Sequence, residues 1–173
     1  ADKILEEGGV VFGVAMEYHN NTLIPKHIAV ESKEELFKLQ GSKYVQSFIG
    51  NTYAEAKKYL ADGRKVLFSG TPCQIEGLKG YRGREYENLY TIDIICHGVP
   101  NAKWFQDYIK VFETKLQGSI YSYNFRDKSR GQGMNARIEY YDKNGKAKVI
   151  YRDGHLTSFF HLFLKMNIYR DNC

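Results

Sequence analysis

The stretch Val66-Leu67-Phe68-Ser69-Gly70-Thr71-Pro72-Cys73-Gln74 indicates how this chain of 173 residues folds. Its first part is apolar and β-prone, its middle consists of small residues, and Pro72 suits the first turn of a helix. A strand, a tight turn and a helix in this order are typical of an α/β sheet. The N–H groups at the helix N-terminus favour an anion, and they also favour the thiolate form of Cys73.

A second stretch has the same construction. Leu89 to Cys96 is a near-continuous apolar run, which predicts a central parallel strand, and His97-Gly98-Val99-Pro100 follows as a turn of small residues. If the two strands are parallel neighbours, Cys73 and Cys96 lie at the carboxyl edge of one sheet, where ligands of open α/β sheets bind. Either cysteine alone is typical of core filler, but two of them in such turns, with a histidine and a glutamine alongside, predict a functional site.

The remaining pattern completes an α/β fold. The predicted strands cover 10–16, 23–30, 65–69, 89–96, 119–126, 135–141 and 147–151, with the first two joined across Asn20-Asn21. The predicted helices cover 1–7, 33–39, 52–60, 72–79, 102–116 and 155–166, and capping boxes begin at Ser32 and Thr52. In the helix over 33–39, Leu36, Phe37 and Leu39 are expected to face inward. The fold class is therefore α/β: a single-domain mixed sheet flanked by helices, ending in an antiparallel strand meander and a helix.

Composition narrows the functional classes. Hydrophobic residues make up 43% of the chain and charged residues 26%, which is a globular balance. The net charge is +5, but the basic residues are scattered rather than clustered, so no nucleic-acid partner is predicted. An acidic or phosphorylated ligand would suit this charge equally well. Three cysteines argue against a disulfide scaffold, and no apolar run approaches a membrane span. These features predict a cytoplasmic protein.

Two polar segments are further candidates. In Gly41-Ser42-Lys43-Tyr44-Val45-Gln46-Ser47, the lysine suits a phosphate or a flavin carbonyl and the tyrosine suits stacking, although the segment alone is more typical of a solvated connector. In Asn124-Phe125-Arg126-Asp127-Lys128-Ser129-Arg130-Gly131, three cations within five residues suit an acidic ligand or form an exposed basic loop.

Taken together, the motifs of this chain resemble the coenzyme F-420 hydrogenase/dehydrogenase beta-subunit family. The segments that carry the resemblance occur in order along nearly the whole chain: Gly-Gly-Val-Val-Phe-Gly (8–13), Gly-Ser-Lys-Tyr-Val-Gln-Ser (41–47), Phe-Ser-Gly-Thr-Pro-Cys-Gln-Ile-Glu-Gly-Leu-Lys (68–79), Asp-Ile-Ile-Cys-His-Gly-Val-Pro (93–100) and Phe-Arg-Asp-Lys (125–128). The resemblance implies an iron–sulfur flavoprotein oxidoreductase. It would pass electrons between FAD, iron–sulfur clusters and a two-electron carrier, either coenzyme F-420 or another anionic acceptor.

The resemblance also implies roles for particular residues. The expected cofactor contacts are Ser42, Lys43, Tyr44, Gln46, Ser47, Gly70, Thr71, Pro72, Cys73, Gln74, Cys96, His97, Gly98, Arg126 and Lys128. His97 is the expected proton carrier, and Lys43 is expected to stabilise an anionic reduced flavin. The resemblance also implies that Cys73, Cys96 and Cys173 are three of the four ligands of a 4Fe-4S cluster. The fourth ligand stays open between a cysteine outside this chain and an Asp, His or solvent ligand.

The expected domain organisation is one flavin and electron-carrier domain over 1–173, as a fragment of a longer chain with a ferredoxin-like N-terminal domain. A ferredoxin-like domain or partner is expected, and homo-oligomers are permitted. Two alternatives stay open. One is a thiol enzyme with Cys73 as nucleophile, His97 as base and Asp93 as orienting carboxylate. The other is a non-catalytic module that docks a ferredoxin.

Overall fold

The structure, a computed structural model, describes residues 1–19, 21–171 and 173. The chain forms two compact units. The first unit contains residues 1–15, 26–40 and 47–96, and the second contains residues 16–25, 41–46 and 97–173. The expected α/β class with a mixed sheet and a C-terminal antiparallel meander is confirmed.

The larger sheet has four strands in the order β2-β1-β3-β4. They are Val10–His19 (β1), Thr22–Val30 (β2), Val66–Gly70 (β3) and Leu89–Asp93 (β4). Strand β3 pairs in parallel with both β1 and β4, so the strand that leads into the cysteine-containing turn is central. Asn20, part of the turn expected between β1 and β2, lies outside the described residues.

The expectation that Leu89 to Cys96 is a central strand is wrong. Strand β4 is parallel, as expected, but it lies at the edge of the sheet and ends at Asp93. The side chains of Ile92, Ile94 and Ile95 are exposed. A continuous apolar run does not distinguish a strand covered on both faces from an edge strand that leaves apolar side chains on the surface.

Helices α1 (Asp2–Glu6), α2 (Thr52–Ala61) and α3 (Pro72–Arg82) belong to the first unit. The segment Lys33–Leu39 is a 3-10 helix, and Phe37 is 67% exposed, so its expected inward position is wrong. The expected capping boxes at Ser32 and Thr52 do not form among the described contacts. Thr52 is the first residue of α2, and its hydroxyl donates to the carbonyl of Ile49 at 2.7 Å.

The second unit contains helix α4 (Ala102–Leu116) and the antiparallel strands β5 (Gly118–Asn124), β6 (Asn135–Asp142) and β7 (Ala147–Asp153) in sequential order. The helix expected over 155–166 is divided into a 3-10 turn at Gly154–Leu156 and helix α5 (Ser158–Leu164). The division occurs at Thr157, whose side chain accepts a hydrogen bond from the Phe160 N–H and so begins α5.

Each unit has its own core. In the first unit, the largest cluster surrounds β1, β3, α2 and α3 and contains Val10, Phe12, Ala56, Leu60, Val66, Phe68, Ile75 and Leu78. In the second unit, the buried cluster is richer in aromatic residues and contains Leu23, Val45, Phe105, Ile109, Ile120, Tyr123, Phe125, Ala136, Ile138, Phe159, Phe160, Phe163 and Ile168. Much of the high aromatic content is therefore packing material.

Candidate functional site

The turn between β3 and α3 forms as the sequence predicts. Strand β3 ends at Gly70, Thr71 precedes the helix, and Pro72 occupies its first position. The hydroxyl of Thr71 lies 3.1 Å from the Sγ atom of Cys73, and the thiol is exposed. A Cβ atom on Gly70 would lie only 3.1 Å from Oε1 and 3.3 Å from Cβ of Gln74, so glycine lets this side chain fold back over the turn.

The backbone amides of this turn are largely occupied within the chain. The Thr71 N–H donates to Oε1 of Gln74 at 3.1 Å. The N–H groups of Gln74 and Ile75 both donate to the Thr71 carbonyl, at 2.9 and 3.0 Å, and Pro72 has no N–H. The N–H groups of Thr71 and Gln74 are therefore engaged within the chain, and the Cys73 thiol is exposed at this turn.

A buried histidine that the sequence pattern did not single out stands behind this turn. His27 lies on β2 and is fully buried, with its ring stacked on Phe68 at a centroid distance of 5.2 Å. Its Nδ1 atom lies 3.0 Å from the Ser47 hydroxyl, and its Nε2 atom lies 3.1 Å from the Ser69 carbonyl. Ser47 in turn accepts from the side-chain amide of Gln74 at 3.0 Å. Ser47, one of the expected cofactor contacts, is buried in this network.

In the second unit, the segment that follows Cys96 is held by the end of the chain. The Arg170 N–H donates to the Val99 carbonyl at 3.1 Å, and the Asn101 N–H donates to the Ile168 carbonyl at 2.9 Å. The Gln46 N–H donates to the Pro100 carbonyl at 3.0 Å. Three stretches far apart in sequence thus meet at the residues 97–101, which fixes the backbone of the expected His97 and Gly98 site.

Gly98 is needed where it stands. Its φ is +124°, and a Cβ atom there would overlap the Cε2 and Cδ2 atoms of Tyr169 and lie 2.9 Å from its Cζ atom. The absent side chain lets the tyrosine ring lie flat against the backbone. The Tyr169 hydroxyl then lies 2.7 Å from Nδ1 of His97.

The Phe163 side chain packs against two of the expected cofactor residues of the second unit, Tyr44 and His97. Its ring lies 5.5 Å from His97 in a stacked arrangement, 5.7 Å from Tyr44 and 5.6 Å from Tyr169. Tyr44 also packs edge-on against Phe125 at 5.9 Å. The structure therefore brings Tyr44 and His97 to one side chain. The sequence pattern did not reveal Phe163 or Tyr169, because each looks like ordinary core material near the chain end.

Lys43 precedes this ring cluster. It is half-buried, and burial lowers the pKa of its ammonium group from 10.5 to about 8. Removing a cation from water costs free energy, and groups whose pKa is shifted in this way concentrate at functional sites. Lys43 is therefore mainly cationic at neutral pH, but it releases its proton far more readily than an exposed lysine does. Its neighbour Ser42 is also half-buried.

The basic segment after β5 is an exposed loop. Arg126 and Lys128 are exposed, and the loop is shaped by Asp127, whose carboxylate accepts from the Ser129 N–H at 3.0 Å. The guanidinium of Arg130 lies over the ring of Tyr151, 3.7 Å from its centroid. The segment is thus an exposed basic loop, which was one of the two interpretations that the sequence left open.

The side chains of the three cysteines are exposed. Within residues 1–19, 21–171 and 173, no group of three or more His, Cys, Asp or Glu side chains is close enough to hold a metal ion. Cys173 follows Arg170, whose Nε atom donates to its sulfur at 3.0 Å. The described residues therefore do not by themselves fit a 4Fe-4S cluster.

Comparison with known proteins identifies the class of protein to which this geometry belongs. Residues 63–173 match a family model described as the C terminus of the beta subunit of coenzyme F420 hydrogenase/dehydrogenase. The matched range includes Cys73, the 97–101 segment, Phe163 and Tyr169, but neither Lys43 nor Tyr44. The chain belongs to this family, and it is thereby related to the oxidoreductases.

One solved structure gives a more particular comparison. A chain of the F420-reducing [NiFe] hydrogenase complex from Methanosarcina barkeri superposes with a TM-score of 0.51 at 16% sequence identity. The alignment covers 98% of this chain and 54% of that one, so the present chain spans about half the length of its structural relative. At this identity the likeness shows the fold. No curated protein matches the sequence. No helix among the described residues is long and apolar enough to cross a membrane.

Proposed function

We propose that this chain is a flavin-binding electron-transfer module of an oxidoreductase. It passes electrons between FAD, iron–sulfur clusters and a two-electron carrier, which is coenzyme F-420 or a related anionic acceptor. The observation that carries the proposal is the Phe163 ring cluster, because it joins two of the residues that the family resemblance assigns to the cofactor. Family membership supports the same class of chemistry.

The second unit contains the kind of side chains that pack against a planar, redox-active ring. Tyr44, His97 and Tyr169 surround Phe163, and aromatic side chains contact a flat conjugated ring through offset-stacked or edge-on packing. The Lys43 ammonium, which is held in a partly desolvated position, favours a ligand that carries negative charge. When bound, FAD supplies the exchange between hydride transfer and single-electron transfer.

His97 is proposed as the residue that holds and moves a proton in this unit. Its ring is exposed, and its Nδ1 atom is fixed by the Tyr169 hydroxyl at 2.7 Å, so its Nε2 atom is the one turned to a ligand. Tyr169 acts through His97 and is a positioning residue. The exposed Arg126 and Lys128 are proposed to hold the anionic group of the carrier.

We further propose that Cys73, Cys96 and Cys173 are thiolate ligands of iron–sulfur clusters. Because the described residues form no metal site, the proposal requires ligands from a ferredoxin-like domain or partner. The first unit contributes the turn at Gly70 to Gln74 as a cofactor contact of its own, through the Thr71 hydroxyl and the Cys73 thiol.

Flavin titration tests the assignment. The chain is purified without oxygen, its visible spectrum is recorded, and FAD is titrated by fluorescence quenching. Wild-type protein is expected to bind FAD, and Lys43→Met is expected to weaken binding about tenfold, as the loss of one charge-assisted contact implies. Lys143→Met, on the exposed β6–β7 turn, is the matched control and leaves the affinity unchanged.

A colourless protein that does not bind added FAD, even after cluster reconstitution, would overturn the flavin assignment. Alkylation then separates the two alternatives. Rapid reaction of Cys73 with iodoacetamide at neutral pH, slowed by a substrate, would favour the thiol enzyme. Slow alkylation together with ferredoxin binding that is insensitive to Lys43→Ala and Cys96→Ala would favour a docking module.

A further inference from the structure

We infer that His27 is a positioning residue. With its proton on Nε2, it closes a directed chain of hydrogen bonds with Ser47 and Gln74 that encircles Gly70 and fixes the start of helix α3. The structural part of this inference stands on its own. Its functional part, that the chain positions Cys73, rests on the function proposed above.

The hydrogen-bond chain ends on two backbone groups, each of which can act only as a donor or only as an acceptor. At one end the Ser69 carbonyl only accepts, so the His27 Nε2 atom, 3.1 Å away, must carry a proton. At the other end the Thr71 N–H only donates, so the Gln74 atom 3.1 Å away must be Oε1. Ser69 and Thr71 flank Gly70, and the side chains therefore bridge the two sides of one turn.

The middle of the chain follows from its two ends. Since the oxygen of Gln74 faces Thr71, its amide nitrogen donates to the Ser47 hydroxyl at 3.0 Å. Ser47 must then direct its own proton to Nδ1 of His27 at 3.0 Å, which the neutral Nε2–H tautomer leaves as an acceptor. Each of these four hydrogen bonds then pairs one donor with one acceptor, and such chains strengthen cooperatively in a buried setting.

A protonated His27 does not fit this arrangement. Its Nδ1 atom would become a donor toward Ser47, whose oxygen would then accept from both His27 and Gln74 and whose own proton would lose its acceptor in this network. Turning the Gln74 amide over to give that proton an acceptor would place its NH2 group against the Thr71 N–H, so a donor would face a donor. Burial of the His27 ring acts in the same sense by lowering its pKa.

This hydrogen-bond chain fixes the backbone of the turn between β3 and α3. Gln74 lies in the first turn of α3, and the Tyr53 hydroxyl fixes its backbone by donating to its carbonyl at 2.7 Å. The Gly70 carbonyl accepts from the Ile94 N–H at 2.9 Å. With both sides of the turn anchored, Cys73 is presented at a defined position one residue before Gln74.

Nitrogen NMR of the wild-type chain with labelled histidine tests the inference directly and needs no cofactor. The expected signal of His27 at pH 7 is a neutral imidazole with the proton on Nε2. A neutral ring protonated on Nδ1, or an imidazolium, would overturn it. Because this measurement is made without flavin or iron, it stands or falls independently of the FAD titration.

Reversing the polarity at one position gives a second test. In Gln74→Glu the side chain can no longer donate, so Ser47 turns its proton toward the carboxylate and Nδ1 of His27 gains a proton. We expect the titration midpoint of His27 to rise by about one to three pH units. Gln132→Glu, on an exposed loop, is the matched control and leaves His27 unchanged. An unshifted His27 in Gln74→Glu would contradict the chain of bonds.

The functional part is tested by the reactivity of Cys73, followed by peptide mass spectrometry during iodoacetamide treatment. Ser47→Ala removes the central link and is expected to change the Cys73 alkylation rate about fivefold, since one buried hydrogen bond is worth about that factor. Ser47→Thr keeps the hydroxyl and is expected to restore the wild-type rate. Equal rates in all three proteins would show that the chain does not position Cys73, even if the His27 tautomer is as inferred.

Discussion

Replacing Gly98 by alanine tests how closely the end of the chain is fitted to the His97 segment. The new methyl group would occupy space held by the Tyr169 ring, 2.9 Å from Cζ and overlapping two further ring atoms. The backbone is also at φ +124°, where an L side chain is strained. Relief requires the Tyr169 ring to move, and the movement breaks its hydrogen bond to His97.

The expected cost follows from three contributions. Backbone strain at such a φ costs about 1–3 kcal/mol. The lost hydrogen bond costs about 1 kcal/mol, and the lost ring packing against Phe163 costs about another 1 kcal/mol. Gly98→Ala is therefore expected to lower the free energy of unfolding by about 3–5 kcal/mol. About 2 kcal/mol of that loss depends on the presence of the Tyr169 ring.

Urea unfolding measures both quantities. The single tryptophan, Trp104, lies on α4 in the second unit, so its fluorescence reports on that unit. In a cycle with Tyr169→Ala, the double variant is expected to be about 2 kcal/mol more stable than the sum of the two single losses predicts. Gly131→Ala is the control, because Gly131 has a φ of +99° and no atom near its Cβ position. If Gly98→Ala and Tyr169→Ala are additive, the close contact is not what requires glycine.

Three further changes have defined outcomes. Burial lowers the pKa of Lys43 to about 8, so between about pH 8 and 10.5 the unfolded chain keeps a proton that the folded chain releases, and stability rises with pH. Lys43→Met is expected to abolish that rise and to stabilise the protein at pH 7 by about 1–2 kcal/mol, as measured by urea unfolding. Burial lowers the pKa of His27 from 6.5, so the unfolded chain binds the proton more readily and stability falls as the pH drops below about 6.5; circular dichroism in urea should show this loss flattened in His27→Gln. Tyr53 lies beside that network, and burial raises the pKa of its hydroxyl above its usual value, so it stays neutral in this range. Ile138→Ala opens a cavity in a fully buried position and is expected to cost about 2–5 kcal/mol by Trp104 fluorescence, whereas Val149→Ala on the neighbouring strand is exposed and costs less than about 1 kcal/mol.

Local chemistry made much of the fold predictable. The small residues between Phe68 and Pro72 predicted the strand, turn and helix that the structure shows. The period of apolar residues predicted α4 with its observed bounds, and Asp142 to Gly145 predicted the turn between β6 and β7. These features depend on backbone preferences and side-chain periodicity within about a dozen residues, which a sequence contains in full.

The position of β4 and the partners of the site residues depended on the tertiary structure. Leu89 to Asp93 has the composition of a central strand, but only the sheet order places it at an edge. Ser47 lies next to residues of the ring cluster in sequence, yet it is buried against His27, 20 positions away. Tyr169 meets His97 across 72 positions. Composition and periodicity predict the type of each element and where turns form. Which apolar runs are buried, and which hydrogen-bond partners far apart in sequence meet, is decided only when the chain closes its cores.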